Sequence, residues 1–282
     1  MDKRILLPTD FSKNALNAIR YALELYKDQT CDFYLLNAYL VNGYSIDKFF
    51  VPEPGDQAHE NARHTSEKRF EKLMDILALN QDNPKHRFHT ISTFNSLLFA
   101  IKSTIAKYDI DMVIMGTKGA TGSESVVFGT NAVDVMEKVT ECPVMAIPQE
   151  LRFKAPKEIV FPTDYKTNFK RRELNYLLEI ASFHHAAIRV LHIERELKLN
   201  REQMSNKELL ESILEGTDHS YHTLRDLKVK SGISAFVESR ESDMIAFVNK
   251  KHSLFGSILS NPLVKEMGYH SKIPVLTLHD VI

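Results

Sequence analysis

Cysteine is nearly absent: Cys31 and Cys142 are the two in 282 residues. So small a supply excludes a disulfide framework, and their spacing fits neither a zinc-ligand pattern nor a redox Cys-x-x-Cys. Both are expected to be reduced core residues. Long apolar runs are lacking too, since none approaches the roughly 18 residues that a membrane-spanning helix needs. The opening Met-Asp-Lys-Arg leads into an apolar stretch too short for the core of a secretory signal. A cytoplasmic protein is expected, without a membrane partner. Charge of one sign is also missing: 36 Lys and Arg stand against 37 Asp and Glu, a net charge of −1. No global field therefore draws the chain to nucleic acid or to an acidic membrane.

Catalytic signatures are equally scarce. There is no Gly-x-Ser-x-Gly elbow, no His-Glu-x-x-His, no His-x-Gly-His and no Gly-Lys-Ser/Thr phosphate loop. Asp109 and Asp111 sit at the approach to a strand and read as solvated loop charges. His86 and His89, like His219 and His222, are three apart on predicted strands, so each pair points to opposite faces and cannot chelate one ion. His184-His185 reads as the polar end of a helix. No residue presents itself as a general base.

What is present begins with glycine. The apolar run Asp111 to Met115 leads into Gly116, Gly119, Gly129 and Thr130, and a helix-like stretch follows from Asn131 to Val139. A strand, a glycine-interrupted loop and a helix start together can form a phosphate cradle, because glycines let backbone amides approach an anion and the helix end carries positive dipole. The same residues also suit an ordinary turn before a helix. At the amino terminus, Ile5-Leu-Leu-Pro8-Thr9-Asp10 reads as a short buried strand entering a turn, with Ser12 placed to cap the next helix. In a parallel sheet its carboxyl end would neighbour the glycine loop, where ligands of open α/β sheets bind. Asp10 there either accepts from a ribose hydroxyl or adenine amino group, or caps a helix.

The chain also repeats itself. Ile5 to Phe11 recurs as Ile159-Val-Phe-Pro-Thr-Asp164-Tyr165, His86 to Ile91 as His219 to Leu224, and Cys142 to Ile147 as Ile273 to Leu278. Three echoes in one order indicate a duplication, with domains expected over residues 1–150 and 155–282. Helical spacing at Ala15, Ile19, Ala22, Leu23 and Tyr26, and at Phe70, Leu73, Met74, Leu77 and Ala78, alternates with β-rich runs. In the first copy strands are predicted at 4–7, 32–38, 87–92, 111–115 and 144–147, and helices at 13–26, 59–79, 96–107 and 130–140. That alternation predicts an α/β fold with a parallel doubly wound sheet.

These motifs resemble the universal stress protein family, in its nucleotide-binding branch. The resemblance rests on Leu7-Pro8-Thr9-Asp10-Phe11-Ser12, Leu35-Leu36-Asn37-Ala38 and Met115-Gly116-Thr117-Lys118-Gly119 through Gly129-Thr130. It implies tandem Rossmann-like or flavodoxin-like domains of the adenine nucleotide alpha hydrolase-like kind, related by a pseudo-two-fold axis. It further implies ATP with a divalent cation, Mg or Mn. By the same resemblance, Asp10 contacts base or ribose and Ala38 lies beside the base. Gly116, Lys118, Gly119, Gly129 and Thr130 surround the phosphates, while Pro8, Thr9, Met115 and Asn131 complete the set. The resemblance also leaves room for a homodimer.

The second copy keeps the skeleton but reads Phe247-Val-Asn-Lys-Lys where the first reads Met115-Gly-Thr-Lys-Gly, and Ser260-Asn-Pro262 where the first has Gly129. One nucleotide per chain is expected. Three functions remain open at this level: an ATP-binding regulatory or stress-response protein, a slow ATPase or phosphotransferase using the same pocket, and an interaction scaffold independent of ligand.

Overall fold

The computed structural model describes residues 2–40, 57–80, 83–117, 130–194, 198–225, 228–249 and 273–279. Strands and helices alternate: β1 Lys3–Pro8, α1 Lys13–Leu25, β2 Cys31–Tyr39, α2 Gln57–Asn80, β3 His86–Phe94, α3 Leu97–Tyr108, β4 Met112–Gly116, α4 Thr130–Lys138 and β5 Val144–Ile147. The order then repeats as β6 Glu158–Pro162, α5 Arg171–His184, β7 Ala187–Glu194, α6 Arg201–Leu214, β8 His219–Arg225, α7 Val229–Arg240, β9 Met244–Asn249 and β10 Val275–His279. The predicted elements of the first copy agree with these spans to within one or two residues at each end. Ser12 caps α1 as its position suggests, its hydroxyl accepting from the Ala15 amide at 3.2 Å.

The ten strands among the described residues form one sheet in the order β3-β2-β1-β4-β5-β10-β9-β6-β7-β8. Read from either end, the sequence of repeats is the same. Every neighbouring pair is parallel except β5 with β10, which run antiparallel with Ala146 beside Val275, Met145 beside Leu276 and Val144 beside Thr277. Helices cover both faces, so the inner strands are apolar on both sides. Alternation along each strand sorts the core in two. Ile5, Leu7, Phe33, Met112, Ile114 and Met145 share a cluster with Phe161, Val190 and Leu276, under α1, α2, α5 and α6. Leu6, Leu36, Val113, Met115 and Val144 join Val160, Ile245 and Val275 on the other face, under α3, α4 and α7. Each cluster runs across the β5–β10 line without interruption.

Polar and aromatic contacts reinforce that line on the α1/α5 side. The Lys3 ammonium meets the Glu179 carboxylate at 2.7 Å, and the Tyr176 hydroxyl donates to Asp111 at 3.3 Å. Asp111 also accepts from the Arg4 amide at 2.8 Å, so it is a structural acceptor rather than a solvated loop charge. His184 ends α5 as expected, yet its Nε2 reaches the Leu25 carbonyl of α1 at 2.9 Å, a cross-junction bond that sequence position alone does not reveal. Tyr21 packs edge-on to Phe153 at 5.1 Å. The cysteines are free and buried, and burial pushes both thiols up to about 12.

Met145 and Leu276 are fully buried opposite one another, so Leu276→Ala should cost about 2–5 kcal/mol through lost burial and a cavity at the junction. Urea unfolding followed by circular dichroism checks the value. A second prediction comes from His279, which is 2 % exposed with both ring nitrogens unpartnered. Burial, opposed by Glu141 and assisted by Lys102, lowers its pKa from 6.5 to about 4. Between those values the unfolded chain takes a proton that the folded chain refuses. Its contribution to stability is therefore present above about pH 6.5 and falls by about 1.4 kcal/mol per unit as pH drops toward 4. His279→Leu should flatten that fall in urea midpoints measured from pH 7.5 to 4.5.

Candidate functional site

Helix α1 returns the chain to β2 on one side of β1, whereas β4 lies on its other side, so the winding direction reverses between β1 and β4. A crevice opens at such a point outside the carboxyl ends of the strands. The two strands pair in parallel, Ile5 beside Met112 and Leu6 beside Val113, which brings Pro8-Thr9-Asp10 and Met115-Gly116 to one edge. Ala38 reaches the same edge from β2, two residues beyond the Pro8–Leu36 pairing. Thr130 is the first residue of α4, and Asn131 follows it, exposed. Met115 sends its side chain into the core beneath α3 and α4. Lys118, Gly119 and Gly129 lie outside the described residues, as do the loop positions Gly122 and Glu124 and most of the segment after Tyr39.

The Pro-Thr-Asp turn is built by its own side chains. The Thr9 amide donates to the Leu36 carbonyl at 2.8 Å, tying the turn to β2. Phe11 adopts φ 63°, a left-handed conformation that costs a bulky residue about 1–2 kcal/mol. The Thr9 hydroxyl compensates by accepting from the Phe11 amide at 3.0 Å, and the Phe11 ring packs edge-on to Phe70 at 5.0 Å. Asp10 Oδ1 accepts from the Ser12 amide at 3.0 Å, leaving the carboxylate exposed at the lip of the crevice. Asp10 therefore steadies the entry to α1, whose cap is Ser12.

Gly116 has a reason that sequence pattern did not supply. A Cβ built there would come within 2.6 Å of Asn14 Nδ2 and 2.8 Å of its Cγ, because the first turn of α1 lies over the end of β4. A side chain at this point would press on the Asn14 carboxamide, which would have to shift to make room. Thr117 follows, its side chain 1 % exposed and its hydroxyl without a partner, while its amide donates to the Ile147 carbonyl at 3.0 Å. Asn14, Thr117 and Asn37 also gather at this edge, and Asn14 lies outside the motifs that carry the resemblance.

The second copy repeats the turn and closes it. Tyr165 has φ 56°, Thr163 Oγ1 accepts from the Tyr165 amide at 3.0 Å, and Asp164 Oδ1 accepts from the Lys166 amide at 3.0 Å. There, however, α6 reaches over: Gln203 donates to the Asp164 carbonyl at 2.9 Å and Asn206 to the Tyr165 carbonyl at 2.8 Å. Asp164 is buried where Asp10 is exposed. Counting along β4 and β9 from Met112 and Met244, which pair with Ile5 and Ile159, Val248 takes the place of Gly116. Its side chain joins the core.

A model of the universal stress protein family matches residues 1–148. The chain belongs to the universal stress protein family. A universal stress protein of Methanocaldococcus jannaschii is 25% identical over 146 residues, 51% of this chain and 81% of that one. Among solved structures, a universal stress protein from Archaeoglobus fulgidus superposes with a TM-score of 0.71 at 15% identity, covering 98% of this chain and 96% of its own. A protein from Pseudomonas aeruginosa gives 0.62 at 12% identity, covering 99% and 94%. At such identities these two likenesses concern the fold. No helix among the described residues of this universal stress protein is long and apolar enough to cross a membrane.

The Asn14 approach yields a direct test. Gly116→Ala should destabilise the protein by about 1–3 kcal/mol through overpacking. Adding Asn14→Gly should recover part of that loss, so the double variant falls short of the sum of the single losses in urea titrations. Strict additivity would show that Asn14 is not the obstacle.

Proposed function

We propose that residues 1–150 form an ATP-binding domain with a regulatory or stress-response role, and that residues 155–282 form a degenerate copy serving as its fixed internal partner. The observation that carries this reading is the contrast between two equivalent crevices. In the first, Asp10 is exposed and a glycine follows the β4 core. In the second, Asp164 is buried beneath Gln203 and Asn206, and Val248 fills the glycine's place. The described part of the first crevice suits the sugar and base end of a nucleotide: Asp10 offers an exposed acceptor, and Ala38 reaches the same edge from β2. Gly116, Lys118, Gly119, Gly129 and Thr130 are assigned to the phosphates by the family motif. No group of three or more His, Cys, Asp or Glu among the described residues could hold a metal ion. The divalent cation is therefore assigned to the phosphates themselves, the usual mode for Mg²⁺.

In this reading the described residues at the crevice bind and orient the nucleotide. ATP then acts as a ligand, and any phosphoryl chemistry would rest on positioning and electrostatics alone. The antiparallel β5–β10 ladder supports the partner role of the second copy, since it removes an exposed edge from each.

Titration calorimetry with ATP and Mg²⁺ should give one site per chain. Asp10→Asn should weaken binding about ten-fold or more, the loss of a hydrogen bond to a charged acceptor. Asp164→Asn should leave the affinity unchanged. Two sites per chain, or equal losses in both variants, would overturn the asymmetry; no binding by the wild type would remove the nucleotide reading.

A further inference from the structure

Behind the Asp10 turn, a chain of buried hydrogen bonds links four elements. Asn37 of β2 donates from Nδ2 to the Thr9 carbonyl at 2.7 Å. Its Oδ1 accepts from the Ser66 hydroxyl of α2 at 2.8 Å, and Ser66 Oγ accepts from the Ser92 hydroxyl of β3 at 2.7 Å. Asn37 and Ser92 stand side by side in the β2–β3 register, and Thr9, Asn37 and Ser66 are all buried. By strand alternation Asn37 shares the face of Phe33 and Leu35, where an apolar residue would pack without desolvation cost. A fully satisfied polar chain in that place fixes geometry, because each link restricts the next.

The second copy shows what the chain is for. Its Thr163 carbonyl is also held from the neighbouring strand, by His192 Nδ1 at 2.9 Å. Registers along β1–β2 and β6–β7 put Asn37 and His192 at equivalent positions. Two different side chains therefore supply one donor to one carbonyl. The helices differ: α6 holds the backbone of its turn directly, through Gln203 and Asn206, whereas α2 packs Phe70 and Arg69 on the Phe11 ring and reaches the turn's backbone by hydrogen bonds through Ser66 and Asn37.

Resting on the nucleotide reading, we propose that Asn37 and Ser66 are positioning residues that set the Thr9–Asp10 turn for its ligand and couple the turn to α2. A ligand held by Asp10 pulls on a turn whose preceding carbonyl is bonded to Asn37, and α2 follows through Ser66. Contiguity alone does not establish coupling, so the test must measure it.

Hydrogen exchange of the Phe11 and Ser12 amides and ATP titration calorimetry are compared in the full-length wild type, Asn37→Leu, Ser66→Ala, their double variant, Asn37→His and His192→Leu. Asn37→Leu should speed exchange and weaken ATP binding about ten-fold, and Ser66→Ala about three-fold. The double variant should lose no more than Asn37→Leu alone, the signature of one shared path. Asn37→His, which installs the second copy's own donor, should restore both readouts. His192→Leu should lower the melting temperature while leaving both unchanged. Unaltered exchange in Asn37→Leu overturns the relay, whether or not ATP binds. Faster exchange with unchanged affinity overturns the positioning role. Faster exchange in a protein whose wild type binds no ATP sustains the coupling and removes the nucleotide reading.

Discussion

The antiparallel pairing of β5 with β10 is the constraint on which the molecule depends. Each strand ends a parallel set whose helices cover both faces, and each would otherwise expose a row of unpaired amides and carbonyls. Joined through Met145 and Leu276, they turn two edges into the centre of one ten-stranded sheet. The consequence reaches the core, because both apolar clusters then extend through the junction and bury residues from the two sets together. Surface ion pairs such as Lys3–Glu179 decorate this arrangement and contribute little beside it.

Two halves with the same strand order carry two unlike turns. The turn geometry is retained in both copies down to the left-handed aromatic and the threonine hydroxyl that supports it. Selection for that turn is local: a strand must stop and a helix must start within a few residues. What differs lies around it. Two α6 side chains and a valine close the second crevice, while an exposed aspartate and a glycine leave the first open. Small polar substitutions on a neighbouring helix are enough, since a buried carbonyl binds whichever donor is within reach.

The buried Asn37–Ser66 chain and the direct α6 clamp are two solutions to the same packing problem. Both satisfy turn carbonyls at the carboxyl edge of the sheet. They differ in which residues hold the turn, although the topology of the two halves is the same.

Sequence by itself determined the elements and their order. Strand and helix periods are set by which side of each segment must be apolar, so Ile5 to Leu7 and the Phe70-Leu73-Leu77 stripe announced themselves. The Ser12 cap and the opposed His86 and His89 followed from local geometry; His86 packs on Phe33 and His89 stacks on Tyr34, on opposite faces. Tertiary structure alone decided why Gly116 is glycine, that Asp111 and His184 bridge the two sets of strands, and that Asp164 is covered while Asp10 is exposed. Those outcomes turn on which side chains arrive from segments far away in the chain. Periodicity records the face a residue belongs to, but the partner waiting on that face is fixed only when the helices dock.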